Sequence, residues 1–172
     1  MKRGILKLCT GTALVLAALT AHADGAFNQT DKTFVTDAAN AGVYQVQAAQ
    51  VAAKRAQDPQ VKAFARRLVD EREKSNASLE KLAASRSMEL PRELQHELRR
   101  RVRSLEEDKL EKVDREFVKN IGLDDSEKDI ERFERARERV KDPQLKSFIE
   151  TSLPMLRAQR KQAMGLIGQL PE

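Results

Sequence analysis

The heptapeptide DPQVKAF at residues 58–64 returns almost unchanged as DPQLKSF at residues 142–148. In both copies an Asp-Pro pair stands directly before apolar residues that follow one another with helical spacing. Proline disrupts the interior of a helix but fits its first turn, and aspartate is a favoured residue just before that turn. Each copy therefore predicts the end of one helix and the start of the next.

The similarity extends beyond the seven residues. A Phe-Val pair at 34–35 precedes the first heptapeptide and another at 117–118 precedes the second, and these pairs are 83 residues apart, close to the 84 residues between the heptapeptides. Each unit reads as a long helix, a tight turn and a second helix. A helix hairpin cannot cover its own apolar stripe, so two hairpins should pack together. The pattern predicts an internal repeat in which Phe64 and Phe148 occupy equivalent buried positions.

The remaining patterns are also helical, and no segment has the alternation of a strand. Pro91 is expected to open a short charged helix, and Pro154 is expected to kink the last helix. Residues 87–109 are long enough to cross from one end of a bundle to the other, which is the ferritin-like connection. The predicted fold class is therefore all-α: a ferritin-like four-helix bundle from two helix hairpins, with a short crossover helix. The helices are expected at about residues 30–56, 59–86, 91–105, 110–140 and 143–168.

The N-terminus has the layout of a secretory signal peptide. A basic head precedes an apolar run from Leu8 to Ala21, and Ala21-His22-Ala23 is a small-x-small cleavage site. The run is too short to span a bilayer, which takes about 20 residues. We expect cleavage after Ala23 and a periplasmic or secreted bacterial protein. The predicted segments are the signal peptide at 1–23, a flexible N-terminal segment at 24–31, the bundle domain at 32–168 and a C-terminal tail at 169–172.

Cleavage also changes the charge. The formal net charge falls from +5 to +2, because Lys2, Arg3 and Lys7 are removed, and the only cysteine, Cys9, is removed with them. The domain must then be held together by its core, without disulfides. Its basic residues are not interleaved with aromatic ones, so no nucleic-acid partner is expected. No transmembrane span is expected after cleavage either.

Several stretches together resemble a known family, the domain of unknown function 4142 proteins, which are exported bacterial ferritin-like four-helix proteins. The resemblance covers about Lys32 to Leu166. It implies a fold and a compartment more than an activity. The matching stretches are FVTDAANAGVYQVQAAQVAA (34–53), DPQVKAFARRLVDEREKSN (58–76), ELP (89–91), VDREFV (113–118), KDPQLKSF (141–148) and SLPMLRAQ (152–159).

Members of that family typically place histidine on three inward faces, and this chain has Arg72, Ser126 and Gln159 at those positions. The resemblance therefore implies a degenerate site. We expect these three residues to form a polar, metal-free remnant. Arg72 should pair with a nearby carboxylate such as Asp125, so that its charge is not left unmatched.

The inward direction of Ser126 depends on an irregularity in the long helix. Apolar residues step by three or four up to Ile121, but the next large one, Ile130, comes one residue too late. A π-bulge or a short break near Gly122 would restore the apolar stripe. Asp124 and Glu127 are expected to cap the helix again beyond it.

Catalysis is not expected. A di-iron centre needs inward carboxylates from all four helices and two Glu-x-x-His steps, but residues 38–53 carry no charge and Glu-x-x-His occurs only once, from Glu93 to His96 in the crossover. His96, the one histidine after the signal peptide, has no histidine or cysteine partner to form a metal site or to activate a serine. We therefore predict no catalytic residue, no metal and no cofactor. The expected role is a structural or protein-interaction module of the envelope that contacts another envelope protein, with a link to stress by analogy of fold alone.

Two alternatives stay open. In one, the chain weakly binds a metal or small ligand in the inter-helix cavity, with acidic groups of the second and fourth helices around a hard cation. In the other, a basic cluster contacts an anionic membrane surface, and the competing interpretation is a solvated face balanced by nearby acids. The acidic groups are Asp70, Glu71, Glu73, Asp124, Asp125 and Glu127, and the basic cluster is Arg99, Arg100, Arg101 and Arg103.

Overall fold

The computed structural model of the chain describes residues 25–91 and 93–171. The predicted signal peptide and its cleavage site lie outside the described residues. All regular structure within those ranges is helical, in agreement with the predicted class, and none of these helices has the length and apolar composition needed to cross a bilayer. The elements are α1 (Gln29–Arg55), α2 (Pro59–Ser85), α3 (His96–Glu107), α4 (Leu110–Glu116), a π-helical segment (Phe117–Asp125), α5 (Ser126–Arg139) and α6 (Pro143–Ile167).

Four helices form the bundle, because α4, the π-helical segment and α5 run without interruption as one long helix over residues 110–139. Helices α1 and α2 form one hairpin, and the long helix and α6 form the other. Across the bundle, α1 packs on the long helix and α2 packs on α6, while α3 lies on the outside against α1. The ferritin-like bundle with a crossover helix is therefore confirmed.

The two Asp-Pro steps begin helices as predicted. The Asp58 carboxylate accepts hydrogen bonds from the backbone amides of Gln60 at 2.7 Å and Val61 at 3.1 Å. The Asp142 carboxylate accepts one from the Leu145 amide at 2.8 Å. In both cases the proline occupies the first turn, where its missing N–H costs nothing.

Each hairpin also stabilises the turn of the other. Asp114 of α4 accepts hydrogen bonds from the backbone amides of Gln57 at 3.0 Å and Asp58 at 2.9 Å. At the opposite end of the bundle, Asp31 of α1 accepts one from the Lys141 amide at 2.9 Å. Both aspartates lie three residues before a Phe-Val pair, so the repeated Asp-x-x-Phe-Val pattern in the sequence already indicated that the two aspartates have equivalent roles. The turns thereby hold the two hairpins together at both ends.

The π-helical segment confirms the predicted irregularity near Gly122. The distance along the chain from Phe117 to Asp142 is 25 residues, whereas Phe34 and Asp58 are separated by 24. The first helix of the second hairpin thus holds one extra residue, and the wider π turns absorb it.

The predicted second cap from Asp124 and Glu127 is wrong. The backbone stays right-handed helical at Asp125 (φ −75°, ψ −33°), and α5 begins without a side-chain cap. The reason is that a π segment passes directly into an α-helix and leaves no free amides to be capped.

The crossover helix starts at His96, not at Pro91 as predicted. Before it, the chain turns at Ser87, which has a positive φ of 55°, and then buries Leu94 against the bundle. Pro91 therefore lies in the connection rather than in the first turn of a helix.

Both predicted terminal boundaries need correction as well. Residues 24–31 were expected to be flexible, yet the Phe27 side chain is only 4% exposed and Asn28 caps α1 through the Asp31 amide. In the predicted tail, Leu170 is buried and its carbonyl oxygen accepts a hydrogen bond from Arg115 at 3.3 Å. These apolar side chains extend the core beyond residues 32–168.

The two repeated phenylalanines do not occupy equivalent positions, contrary to the prediction. Phe64 is fully buried, with its ring centroid 5.8 Å from that of Phe117. Phe148 is only half-buried and packs on Phe133 at 6.0 Å. Phe34 already fills the core at that end, with its ring 5.0 Å from Phe133, and leaves Phe148 at the periphery.

Gly122 provides a test of the packing at the π-helical segment. A Cβ atom at this position would lie 2.8 Å from the Ala163 Cβ and 3.3 Å from the Phe64 ring. We expect Gly122→Ala to lower the free energy of unfolding by about 1–3 kcal/mol through overpacking, although alanine is the better helix former. The control is Gly165→Ala on the exposed face of α6, which has open space around it and should gain about 0.5–1 kcal/mol. Urea denaturation of both variants measures the free energy of unfolding. Changes of the same sign in the two variants would contradict the close packing at Gly122.

Arg86 joins the end of α2 to the start of α6. Its Nε donates to Asp142 at 2.7 Å, and its side chain is 1% exposed. Partial burial acts to raise the pKa of Asp142, but the hydrogen bonds from Arg86 and the Leu145 amide outweigh it, so the pKa lies below its usual value. The folded state then binds the Asp142 proton less tightly than the unfolded state does. The carboxylate therefore stabilises the fold at pH values above the pKa that Asp142 has in the unfolded chain. That contribution is lost as the pH falls through the folded pKa.

Asp142→Asn should therefore be destabilising in a pH-dependent way. At pH 7 we expect a loss of about 3 kcal/mol, because the neutral amide removes the Asp142 charge from its contact with the buried Arg86 guanidinium. The difference from the parent should begin to shrink below about pH 4, the ordinary aspartate pKa, and should disappear as the pH falls through the lower pKa that Asp142 has in the folded state. Asp58→Asn is the control, because asparagine still caps and the described hydrogen bonds of the Asp58 carboxylate are to backbone amides. Urea titrations at pH 7, 5 and 3 measure the free energy of unfolding of the parent and both variants. A loss in Asp142→Asn that does not depend on pH would contradict this role of the carboxylate.

Candidate functional site

Five buried polar side chains form a layer across the middle of the bundle. We call them the polar layer, and none of them is more than 4% exposed. All four helices of the bundle contribute, so the layer is a property of the tertiary structure. Buried groups of this kind are costly unless they are hydrogen-bonded or paired. The residues are Gln45 of α1, Arg72 of α2, Ser126 and Asp129 of α5, and Gln159 of α6.

Asp129 is the centre of the contacts in the polar layer. Its Oδ2 accepts a hydrogen bond from Gln45 Nε2 at 2.8 Å and lies 3.3 Å from Arg72 Nη1. Its Oδ1 accepts from Arg132, one turn further along α5 and closer to solvent. One carboxylate from the long helix thereby connects α1 and α2.

Arg72 carries a positive charge into the interior. Burial lowers the pKa of its guanidinium, while the charge of Asp129 and the hydrogen bond to it act in the opposite direction. An arginine side chain has the highest pKa of the common ionisable groups and stays protonated in proteins. The centre of the bundle therefore contains a permanent cation next to a carboxylate.

Gln159 and Ser126 complete the layer. Gln159 Nε2 donates to Glu71 at 2.8 Å, and Arg67 holds the other oxygen of Glu71 at the same distance. Partial burial raises the pKa of Glu71, but these two hydrogen bonds prevail and the net shift is downward. Ser126 donates its hydroxyl proton to the Ile121 carbonyl at 3.2 Å, which lies five residues back across the π-helical segment.

The three positions taken from the family resemblance thus lie in one buried layer. Arg72 contacts Asp129, which is one helical turn from Ser126, and Gln159 contacts the residue that precedes Arg72. The expected pairing of Arg72 with Asp125 is wrong, because Asp129 takes that place. Residues three apart on a helix share a face, so Asp129 was predictable once Ser126 was turned inward. Nothing in the sequence assigned Gln45 to this contact.

Asp125 pairs with Arg101 of the crossover helix instead. The guanidinium makes two contacts with the carboxylate, at 2.6 and 3.2 Å, and lies over the Tyr44 ring at 4.8 Å from its centroid. Burial and the Asp125 charge raise the pKa of Tyr44, with Arg101 partly opposing them. Arg101 therefore fastens α3 to the bundle, which removes it from the predicted anionic-surface contact.

The rest of the basic cluster faces outward. Arg99, Arg100 and Arg103 are exposed, with Arg99 3.7 Å from Glu93 and Arg100 paired with Glu97. Contact of these three arginines with an anionic surface stays a prediction.

The acidic groups expected around a hard cation do not gather. Glu71 is bound to Gln159, Asp125 to Arg101, and Glu127 to Arg160. Over residues 25–91 and 93–171, no three histidine, cysteine or acidic side chains are arranged to hold a metal ion. His96 is exposed in the first turn of α3.

Two grooves open along residues 37–45 of α1, and a third opens near the C-terminal end of that helix. One, of about 590 Å³, lies between α1, α2 and the start of the crossover and is lined by Val43, Met88 and Leu90, away from the polar layer. The other, of about 350 Å³, lies between α1, α3 and α5, and its lining includes Gln45 and Asp129. We call the second one the polar groove, because it links the polar layer to the surface.

The chain is similar to known proteins in both sequence and fold. The model of the family described as Domain of unknown function (DUF4142) matches residues 16–166. The chain belongs to the DUF4142 family. The fold of this DUF4142 protein is also similar to the crystal structure of a DUF305 fragment from Deinococcus radiodurans, with a TM-score of 0.74 and 13% sequence identity over 84% of this chain and 99% of that one. Such a likeness shows the fold alone. No curated protein matches the chain.

The three substituted positions can be tested for convergence by restoring histidine. We expect Arg72→His/Ser126→His/Gln159→His to bind Zn²⁺ or Ni²⁺ at least about ten-fold more tightly than the parent, because imidazole suits both metals. Asp129 and Glu71, which already contact positions 72 and 159, are available to orient the imidazoles. Calorimetric titration measures the affinity, circular dichroism checks the fold, and Gln159→His alone is the control. A folded triple variant with parental affinity would show that the positions do not converge.

Proposed function

We propose that this DUF4142 protein is an exported, non-catalytic helical-bundle protein of the bacterial envelope that acts as a structural or protein-interaction module. The observation that carries the proposal is the buried Arg72–Asp129 pair at the centre of the bundle. Export rests on the basic head, apolar run and small-x-small site of residues 1–23.

The polar layer does not fit a metal centre. Bundle proteins with metals use inward carboxylates and imidazoles from facing helices, and the cation lies between them. In this chain the Arg72 guanidinium takes up the charge of Asp129, and the remaining members of the layer are two amides and a hydroxyl. A divalent ion would have to displace a buried cation or lie beside it, and both are costly in a medium of low dielectric.

The polar layer does not fit acid–base or nucleophilic chemistry either. A general acid or base works best with a pKa near the operating pH, which guanidinium, amide and hydroxyl groups do not approach. The one carboxylate of the layer, Asp129, is already bound to Arg72 and Gln45. The Ser126 hydroxyl donates to the Ile121 carbonyl, and no imidazole or thiol is present in the layer to activate it. A buried ion pair of this kind is better suited to specify one packing of the helices than to react.

Small-ligand binding is a second candidate, favoured by one observation. The polar groove, at about 350 Å³, is large enough for a small molecule and ends at Gln45 and Asp129. A ligand there would meet charged groups of both signs at the rim, among them Asp37, Lys128 and Arg132.

Native mass spectrometry of the protein purified from the periplasmic or secreted fraction tests these proposals together. We expect the mass of residues 24–172 without a bound metal, and a melting temperature that EDTA does not change. The triple-histidine variant loaded with Zn²⁺ is the positive control for metal retention. A chain that begins at Met1 would contradict export, and a stoichiometric metal would contradict the ion-paired centre. A reproducible organic adduct would favour the second candidate.

Cross-linking in intact cells tests the interaction role. A lysine-reactive reagent is expected to yield a discrete heteromeric product of constant mass, and only monomer at every reagent concentration would count against a partner protein.

A further inference from the structure

Four atoms of the polar layer have hydrogen-bonding capacity that the described protein atoms do not use. They are Arg72 Nε, Arg72 Nη2, Gln45 Oε1 and Gln159 Oε1, and all of them are fully buried. A buried polar atom without a partner loses its hydration without compensation. Four such losses in one layer would cancel a substantial part of the small free energy of unfolding that a domain of this size has.

These atoms belong to neighbouring side chains. Gln45 and Arg72 both contact the same oxygen, Oδ2 of Asp129, at 2.8 and 3.3 Å. Gln159 reaches the layer beside them through Glu71, which precedes Arg72 in α2. Two nitrogen donors and two amide oxygens without a protein partner therefore lie in one buried layer, contributed by three helices.

The mixture of donors and acceptors selects the occupant. An anion would satisfy the Arg72 nitrogens but would face the Asp129 carboxylate and two amide oxygens. A metal cation would satisfy the oxygens but would face the guanidinium. Water donates and accepts at once, and buried waters in proteins typically make about three hydrogen bonds to groups of this kind. We propose that the polar layer binds ordered water, which bridges Arg72 to the amide oxygens of Gln45 and Gln159.

The polar groove gives this water a route to solvent. Its lining includes Gln45 and Asp129, both of which belong to the layer, while Arg101 and Tyr44 form its side towards α3. The water is therefore held long enough to be ordered yet exchanges through the groove without unfolding of the bundle. It ties α1, α2 and α6 together, in addition to the direct contacts of Asp129.

Rotating-frame Overhauser spectroscopy on the ¹⁵N-labelled protein tests the proposal at a single proton. The Nε proton of Arg72, assigned by its loss in Arg72→Lys, is expected to show a dipolar cross-peak to water, opposite in sign to the diagonal. The matched control is Arg86, whose side chain is 1% exposed and whose Nε donates directly to Asp142 at 2.7 Å. Its Nε proton should show no such peak.

Each other outcome contradicts bound water. A missing dipolar peak at Arg72, a peak with the sign of chemical exchange, or a resonance broadened by free exchange would each overturn it. A shift of the Arg72 resonance that saturates with added chloride would identify an anion instead. Gln45→Leu/Gln159→Leu, or Gln159→Leu alone if the double variant does not fold, should weaken the Arg72 peak at least two-fold. An unchanged peak in the folded variant would show that these amides do not hold the water.

Discussion

The arrangement of this bundle depends on one buried carboxylate. Asp129 is 2% exposed, and a negative charge in that position is tolerated only with partners that face it closely. Arg72 brings the opposite charge from α2, and Gln45 brings an amide donor from α1. Any rotation or sliding of one helix against another would separate these groups in a medium where unpaired charge is most costly. The polar layer thereby selects one packing among those that apolar contacts alone would allow.

That layer exists only because the long helix contains a π-helical segment. Each residue turns an α-helix by about 100°, so one extra residue would turn everything after it away from the core. The wide turns between Phe117 and Asp125 absorb the extra residue, and Ser126 and Asp129 then face the interior. Gly122 makes this possible inside the bundle as well, since its missing Cβ lets the buried Ala163 of α6 come close.

The ends of the bundle are held by hydrogen bonds between aspartate side chains and backbone amides of the turns. Asp31 and Asp114 each bind backbone amides in the turn of the opposite hairpin, and Asp142 binds both its own helix and Arg86. Charge is thus concentrated at the middle and at the two ends, with apolar layers between them. Similarity to a DUF305 crystal structure at 13% identity shows that this architecture tolerates very different sequences, so the activity of a member must be sought in its own central residues.

The sequence by itself determined the number and order of the helices, their Asp-Pro starts and the place of the π-helical segment. These features depend on caps, apolar spacing and residue counts, which are local along the chain. Only the tertiary structure decided that Arg72 pairs with Asp129 rather than Asp125, that Arg101 turns inward to Tyr44, and that Phe27 is buried while Phe148 is only partly buried. A side chain selects its partner by distance in space. Residues 57 positions apart, such as Arg72 and Asp129, meet only after the rotation of each helix has been set by the packing of all the others.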